Sequence, residues 1–540
     1  MVKGGIPHKI DISQVEERER VLPLLHAVDA APEERWDLMA ILRQFPRPGG
    51  TYAKSQLLGA YRILVEEGAI ERSAVIERRL RSRPVRTISG VAPVAVLTKP
   101  YPCPGECIFC PDQEGAPKSY LDGEPGVLRA IQNAYDPYDQ TNVRIKTLET
   151  IGHHTDKIEL LVLGGTWSAY PAEYQEGFLL RCFDAMNEEP STTLAEAQLR
   201  NETALHRNVG MAIETRPDCI TPEEIVHLRR QGVTKVQLGV QSLDDRILAL
   251  NRRGHTVDDA RRAFGLLRLA GFKIVMHWMP NLHGATPQSD LADFAKIFDD
   301  VAIRPDEMKI YPTALLENTE LYRIWQQGQY QPYDEEALID LLVKCKEIVG
   351  PYCRINRLMR DIPADYIVAG TKRSNLRQII QQRMAKLGLA CQCVRCREVR
   401  GRESVNPEEV TLNVVTYATD VTEEQFLQYL TPGGHLAGFL RLSLPKAPRA
   451  SIPIPEIRTA AMIRELHVYG PAQGLGERRR GVQHRGLGTR LIEEAVSRSR
   501  AAGFDELAVI AAIGTRVYYR ERGFTEGDLY PIRKLSRPSS

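Results

Sequence analysis

Leu38, Ile41, Leu42, Leu57, Leu58, Tyr61 and Leu64 recur near the period of a helix, interrupted at Pro46-Arg47-Pro48-Gly49-Gly50. Residues 1–90 therefore read as a mostly helical, basic region. The pattern changes at Pro84 and the run Val91 to Leu97. Over residues 91–350, short apolar runs alternate with longer amphipathic stretches: Val94–Leu97, Ile158–Leu163, Val209–Ile213, Lys235–Val240, Lys273–Met276 and Glu307–Ile310. Such alternation predicts parallel strands with helical crossovers, in an open sheet or a barrel. Polar, Gly-rich or Pro-rich segments follow most of these runs, where a barrel gathers its chemistry at the C-terminal strand ends. Residues 351–405 form a Cys-rich basic connector. Over 406–540, Val410–Thr416, Leu436–Leu442 and Met462–Tyr469 read as antiparallel strands. A helix from Gly486, a strand at Leu507–Ile513 and a short helix at Thr515–Arg522 follow, so a separate α+β domain is expected.

Of the 540 residues, 43% are apolar and 26% charged, which excludes a disordered or fibrous chain. No apolar run reaches the ~18 residues of a membrane span. The polar start, Met1 to Asp11, lacks an apolar export signal, so a cytoplasmic location is expected. Six of the ten cysteines fall in two tight clusters, which points to metal thiolates rather than disulfides.

The net charge of +2 hides local asymmetry. Glu71 to Arg86 carries six arginines against two glutamates, and Lys372 to Arg400 carries eight Lys/Arg against Glu398 alone. Arg354, Arg357 and Arg360 precede that run at spacing three, which on a helix would share one face. A single such run is usually a solvated face. Several in a near-neutral chain point to a polyanion, RNA ahead of membrane.

Cys103-Pro-Gly-Glu-Cys107-Ile-Phe-Cys110 is the strongest chemical signal. Three thiolates at this spacing, just after the first strand, can hold three irons of a 4Fe–4S cluster and leave the fourth open to S-adenosylmethionine. Zinc would want a fourth ligand nearby. The spacing resembles the radical S-adenosylmethionine superfamily. By that resemblance Gly164-Gly165-Thr166 is the turn that meets the methionyl amino group, and Glu214, Gln241 and Arg252-Arg253-Gly254-His255 present polar groups to substrate or cofactor.

Gln483-His484-Arg485-Gly486-Leu487-Gly488 opens an apolar-periodic helix and fits the pyrophosphate loop of GNAT-type acetyltransferases. Its glycines allow close approach, and free amides at the helix start suit a coenzyme A diphosphate. Upstream, Glu465-Leu466-His467-Val468 is a strand whose backbone can meet the pantetheine arm. Downstream, Tyr518 and Tyr519 lie where such enzymes place a tyrosine beside the departing thiolate. A phenol there can protonate the sulfur, and one of the two is expected in the core, since helical neighbours point about 100° apart. A third cluster, Cys391-Gln-Cys393-Val-Arg-Cys396, favours zinc with a fourth ligand from Cys345, Cys353 or a distant His. A second iron–sulfur cluster or plain buried thiols are the alternatives.

A barrel of this kind fused to an acetyltransferase fold resembles the family of the catalytic subunit of Elongator, which carboxymethylates the tRNA wobble uridine. The likeness runs from about Val91 to Lys534, through Leu163–Thr166, Ile213–Asp218, Gly239–Ser242, Arg253–Thr256 and Arg464–Gly470. The chain departs from the eukaryotic members in its closer cluster cysteines and its fuller Cys391 group. The resemblance implies an α/β fold with a partial TIM-type barrel, a helical N-terminal region and a C-terminal α+β acetyltransferase domain. It implies a 4Fe–4S cluster, S-adenosylmethionine, acetyl-CoA as co-substrate, and a tRNA anticodon loop as partner. It also implies that Lys157 contacts acetyl-CoA from the barrel side. The basic segments 71–86 and 354–400 would hold tRNA phosphates. Whether a second copy of the chain is a partner stays open. So do a lysine acetyltransferase with a structural cluster, a tRNA-binding acetyl-CoA hydrolase and a methylthiotransferase-like enzyme.

Overall fold

The computed structural model describes residues 10–47, 50–82, 87, 90–400, 405–446, 451–469 and 486–535. Helices Val15–Ala30, Leu38–Gln44, Lys54–Glu66 and Ala74–Leu80 make up the N-terminal region. Side-chain caps start two of them: Asp37 accepts from Met39 N, and Ser73 accepts from the amides of Val75 and Ile76. Val21, Leu24, Leu57, Leu58, Leu64, Ile76 and Leu80 fill a core of their own. Each such side chain contributes about 1.5–3 kcal/mol by leaving water.

The next unit is a seven-stranded parallel sheet of β1 (Ala92–Leu97), β2 (Lys157–Leu163), β3 (Arg207–Thr215), β4 (Lys235–Gln241), β5 (Lys273–Trp278), β6 (Glu307–Ile310) and β8 (Arg354–Arg357). Its order is β1-β2-β3-β4-β5-β6-β8, so among the described residues β1 and β8 are the edge strands and the barrel has a seam. Two short strands, β7 (Leu315–Leu316) and β9 (Ile367–Ala369), pair with each other beside it. Several crossover helices start on a threonine cap, as at Thr221, Thr256 and Thr286.

The second sheet holds β10 (Thr411–Ala418), β11 (Thr422–Leu430), β12 (Leu436–Pro445), β13 (Ala460–Val468), β14 (Glu506–Val509), β15 (Thr525–Glu526) and β16 (Pro531–Lys534). Only β13 and β14 are parallel, joined through helix Leu487–Ala501. This is the expected α+β arrangement. The two sheets share one core, and buried charges stitch them together. The Arg464 guanidinium, with no side-chain exposure, reaches Asp306 Oδ1 at 3.0 Å, Glu424 Oε2 at 2.8 Å and Phe272 O at 2.8 Å. Tyr530 donates to Ala270 O at 2.7 Å.

Three expectations change. Arg354 and Arg357 lie on β8, not on a helix, because the segment completes the barrel sheet beyond residue 350. Their charges turn to partners nearby: Arg354 pairs with Glu398, Arg357 with Asp361 at 2.6 Å, and Arg360 with Glu124 at 3.0 Å. The strand expected over Leu507–Ile513 stops at Val509, where its pairing with β13 ends, and Ile513 opens a 3₁₀ turn. β11 was not expected: Thr-Glu-Glu-Gln reads as polar, yet Glu424 is buried, accepting from Arg464 at 2.8 Å and lying 3.8 Å from Arg268 of the barrel.

Candidate active site and metal centre

A cavity of about 970 Å³ runs from the Cys103 loop through the barrel to the second sheet. Cys103, Thr166 and Gln241 line one end, Lys235 and Glu307 the middle, and Glu465, His467 and Tyr519 the other. The thiol loop and the acetyltransferase-like sheet therefore open on one space.

At the first end, Gly105 sits where a Cβ would lie 2.2 Å from Arg216 Nη1. That arginine is held by Asp218 at 3.0 Å and by the carbonyl of Arg253 at 2.8 Å, so the glycine lets the loop close over it. Arg253 Nη1 donates to Cys107 Sγ at 2.9 Å, and Thr166 Oγ1 lies 3.5 Å from Cys103 Sγ. Gly164 has φ +127°, and a Cβ there would meet Thr98 Oγ1 at 2.1 Å. Burial, with Cys107 beside it, pushes the Cys110 thiol up to about 11, so deprotonation calls for a cation. Gln241 takes a positive φ of 77°, and its Oε1 is buried without a hydrogen-bond partner. Backbone strain and an orphaned acceptor at a strand end mark a ligand site. Three thiols on one loop beside these polar groups suit an open cluster with its chelated ligand. Burial first, then Arg253 and Arg216, holds His255 neutral, down to about 3.

The middle of the chamber is charged. Lys235 pairs with Glu159 and lies 3.4 Å from Glu307; Lys273 lies 3.6 Å from Glu307 and also pairs with Glu465 of β13. Burial opposes ionisation of Glu307, but Lys235 and Lys273 hold its carboxyl well below the usual range. Apolar patterning does not single out these side chains, although a charge at or near the start of an otherwise apolar inner strand is a visible signal. Lys157, the first residue of β2, is not among the residues lining the cavity. It lies beside Arg207, and burial lowers its pKa.

At the far end, β14 pairs with only Ala460–Ile463, so β13 runs on past it through Glu465, Leu466, His467 and Val468. On its other edge that stretch pairs with β12. Gly486, at φ +80°, starts helix Leu487–Ala501. Gln483 and Arg485 lie outside the described residues. The two tyrosines part company. Tyr519 is buried and lines the cavity. Tyr518 turns its hydroxyl towards Gly488, where a Cβ would lie 2.5 Å from it, and carries the Arg522 guanidinium 3.5 Å above its ring. Gly488 keeps that approach open.

The sulfurs of Cys391, Cys393 and Cys396 lie within 4.8 Å of one another, a group that neither Cys345 nor Cys353 joins. Tetrahedral zinc with bonds of ~2.3 Å holds its sulfurs about 3.8 Å apart, so the trio fits one ion. Lys346 Nζ, fully buried, stands 3.6 Å from Cys396 Sγ. Among the described residues no helix is long and apolar enough to cross a membrane.

Residues 101–295 match the radical SAM superfamily, and residues 305–386 match the radical SAM C-terminal domain. The chain is thus a radical SAM protein whose half-barrel is fused to a second, sheet-rich domain. A tRNA uridine(34) acetyltransferase of Dehalococcoides mccartyi is 44% identical over 81% of this chain and 96% of its own length. Elongator complex protein 3 of Homo sapiens is 36% identical over 85% of this chain and 87% of its own. The solved Elp3 of Methanocaldococcus infernus, lacking residues 1–46, superposes with a TM-score of 0.72 at 38% identity, over 83% of this chain and all of that one. The chain belongs to the family of tRNA uridine(34) acetyltransferases and Elongator complex protein 3.

Proposed function

We propose that this protein forms 5-carboxymethyluridine at the tRNA wobble position from acetyl-CoA, using a 4Fe–4S cluster on Cys103, Cys107 and Cys110 with S-adenosylmethionine. The observation that carries the reading is the single cavity reaching from the thiol loop to the part of β13 that runs on past β14. When bound, the cluster and S-adenosylmethionine supply the radical that activates the acetyl methyl for bonding to the uracil ring.

The chain's own residues do the rest. Arg253, donating to Cys107 Sγ, offsets thiolate charge at the loop. Gly164 and Gly165 keep backbone close to the methionyl group. The edge of β13 beyond its pairing with β14, at Glu465, Leu466 and His467, offers main-chain hydrogen bonds to the pantetheine arm, and amides at the start of helix Leu487–Ala501 face the diphosphate. Tyr519 stays protonated, because burial raises its pKa, and gives its proton to the departing coenzyme A sulfur once water has cleaved the thioester. Lys273 and Glu465 tie the thioester side to the chamber. Cys391, Cys393 and Cys396 hold a zinc ion that pins the connector to the barrel.

The test is an anaerobic reaction of iron-reconstituted protein with reductant, S-adenosylmethionine, acetyl-CoA and unmodified tRNA, read by nucleoside mass spectrometry. Carboxymethyluridine that vanishes in Cys103→Ala supports the reading. S-adenosylmethionine cleavage without that nucleoside rejects the substrate assignment.

A further inference from the structure

The basic run Lys372–Arg400 is less charged in the fold than along the chain. Arg373 pairs with Glu335 at 3.0 Å, and Arg383 with Glu336 at 2.7 Å and Asp340 at 3.0 Å. A tighter group is left at the seam side of the cavity. Arg354, Arg395 and Arg400 line the wall, with Arg377 close enough to repel Arg395. The one carboxylate among them, Glu398, is spent: Oε1 accepts from Arg354, and Oε2 accepts from Arg400 at 3.0 Å. Arg395 Nε and Arg377 Nη1 are buried without a hydrogen-bond partner. Arg354 also faces Glu307, and Arg377 faces the Cys393 and Cys396 sulfurs, so Arg395, with a donor already stripped of water, is the guanidinium that lacks an ion pair of its own, an unfavourable wall until an anion arrives. The planar fork of arginine suits a phosphate, which accepts two parallel hydrogen bonds.

The position narrows the ligand. Arg354 is on the edge strand β8, and Arg377 donates to Ile355 O of the same strand at 3.0 Å, so the group stands where the barrel sheet ends, beside the chamber that the base would occupy. A coenzyme diphosphate has its own place at the start of helix Leu487–Ala501, in the other domain. The connector also fixes the group: Arg395 sits between Cys393 and Cys396 on helix Val394–Arg397, whose Val394 amide donates to Cys353 O at 2.9 Å. A metal on the thiols would set the angle at which Arg395 faces the cavity.

We propose that Arg395, backed by Arg377 and flanked by Arg354 and Arg400, forms a phosphate subsite that grips the phosphodiester beside the nucleotide whose base enters the barrel. The inference rests on the tRNA reading and names the part of the RNA that this wall takes.

The probe is an RNA anticodon stem-loop carrying uridine at the wobble position, made with a neutral methylphosphonate on either side of that uridine. Full-length zinc-bound protein is titrated with it across a salt series, beside acetyl-CoA as a second ligand. Wild type should bind the native RNA about tenfold more tightly than one of the two methylphosphonates, as expected for loss of one charge-assisted contact. Arg395→Ala should lose about the same factor, lower the salt slope by about one, and show no further loss with that methylphosphonate. Its acetyl-CoA affinity should not change. Arg395→Lys, which keeps charge without the fork, should keep the slope and recover only part of the affinity. Zinc content equal to wild type shows that the variants are folded at this site. Independent, multiplying effects of Arg395→Ala and the methylphosphonate would overturn the subsite. So would unchanged RNA binding, or a fall in acetyl-CoA affinity instead. If wild type itself does not bind the stem-loop, the tRNA reading falls, and the subsite with it.

Discussion

Glu202 Oε2 accepts a hydrogen bond from Arg520 Nη2 at 2.6 Å, across 318 residues of chain and from one domain to the other. Its second oxygen lies 3.3 Å from Arg516 Nη1. The two arginines bracket Tyr518 and Tyr519 on helix Arg516–Arg520. Gly514, just before it, sits where a Cβ would lie 2.6 Å from Arg207 Cβ and 2.8 Å from Asn208 O. The barrel thus sets the height at which Tyr519 meets the cavity.

Loss of that clamp should separate the two halves of the chemistry. Glu202→Ala is expected to cleave S-adenosylmethionine as wild type does but to form carboxymethyluridine about tenfold more slowly, in line with a misplaced catalytic group. Because the pair acts as one unit, Glu202→Ala with Arg520→Ala should lose little more than either alone. A double-mutant cycle on nucleoside yield checks this, and simple multiplication of the two losses would show that the ion pair does not position the helix.

The tyrosines should differ in kind. Tyr519→Phe removes the buried hydroxyl at the cavity and is expected to slow coenzyme A release about 100-fold with little change in acetyl-CoA affinity. Tyr518→Phe touches the helix start at Gly488, so its main effect should be on acetyl-CoA KM. Burial lifts the Tyr519 phenol above its ordinary value, so no loss of rate from its ionisation is expected up to about pH 10, the unperturbed tyrosine value. Steady-state release of free thiol, measured across pH, distinguishes the two roles.

Asp306 joins the domains through charge. Burial would raise its pKa, but Arg464, Arg441 and Arg268 outweigh it and hold the carboxyl at about 2. A depressed folded value means that its contribution is complete above the unfolded pKa near 3.9 and fades as pH falls towards 2. Asp306→Asn leaves Arg464 and Arg441 buried against less charge, which costs about 3–5 kcal/mol. Chemical denaturation at pH 7 and pH 3 should show the variant much weaker at pH 7, with the gap narrowing at pH 3. A gap that does not depend on pH would mean that packing, not charge, is lost.

What the sequence reveals and what it hides follow one physical division. The apolar runs of β1 to β6 are legible because one face of each strand packs into the shared core beneath the crossover helices. The Cys103 loop is legible because a cluster needs closely spaced thiols. β8 is hidden: Arg-Ile-Asn-Arg has a single apolar residue, and its arginine spacing imitates a helix face because one side of that strand borders a polar cavity. Glu202 and the Lys273–Glu465 pair are hidden for another reason. Each partner is ordinary alone, and only the docking of the two sheets gives it meaning. The choice between Tyr518 and Tyr519 likewise needs the direction of the cavity, which no local pattern carries.

Removal of zinc should act through the connector. The three sulfurs of Cys391, Cys393 and Cys396 gather within 4.8 Å, next to Lys346, whose ammonium is fully buried. Without a metal, hydrogen bonds from Cys391 and Cys393 favour the Cys396 thiolate beside that ammonium, but the ion that would tie the three sulfurs into the connector is gone. Cys393→Ser is therefore expected to reduce zinc from one ion per chain to well below one and to lower the first thermal transition by several degrees, as loss of about 2–4 kcal/mol does in domains of this size. The Cys103 cluster is on a separate loop after β1, so iron content and S-adenosylmethionine cleavage should remain. Elemental analysis with calorimetry measures both sides. Iron lost in proportion to zinc would mean that the trio binds a second iron–sulfur cluster, and an unchanged melting curve would reduce it to three buried thiols with no structural ion.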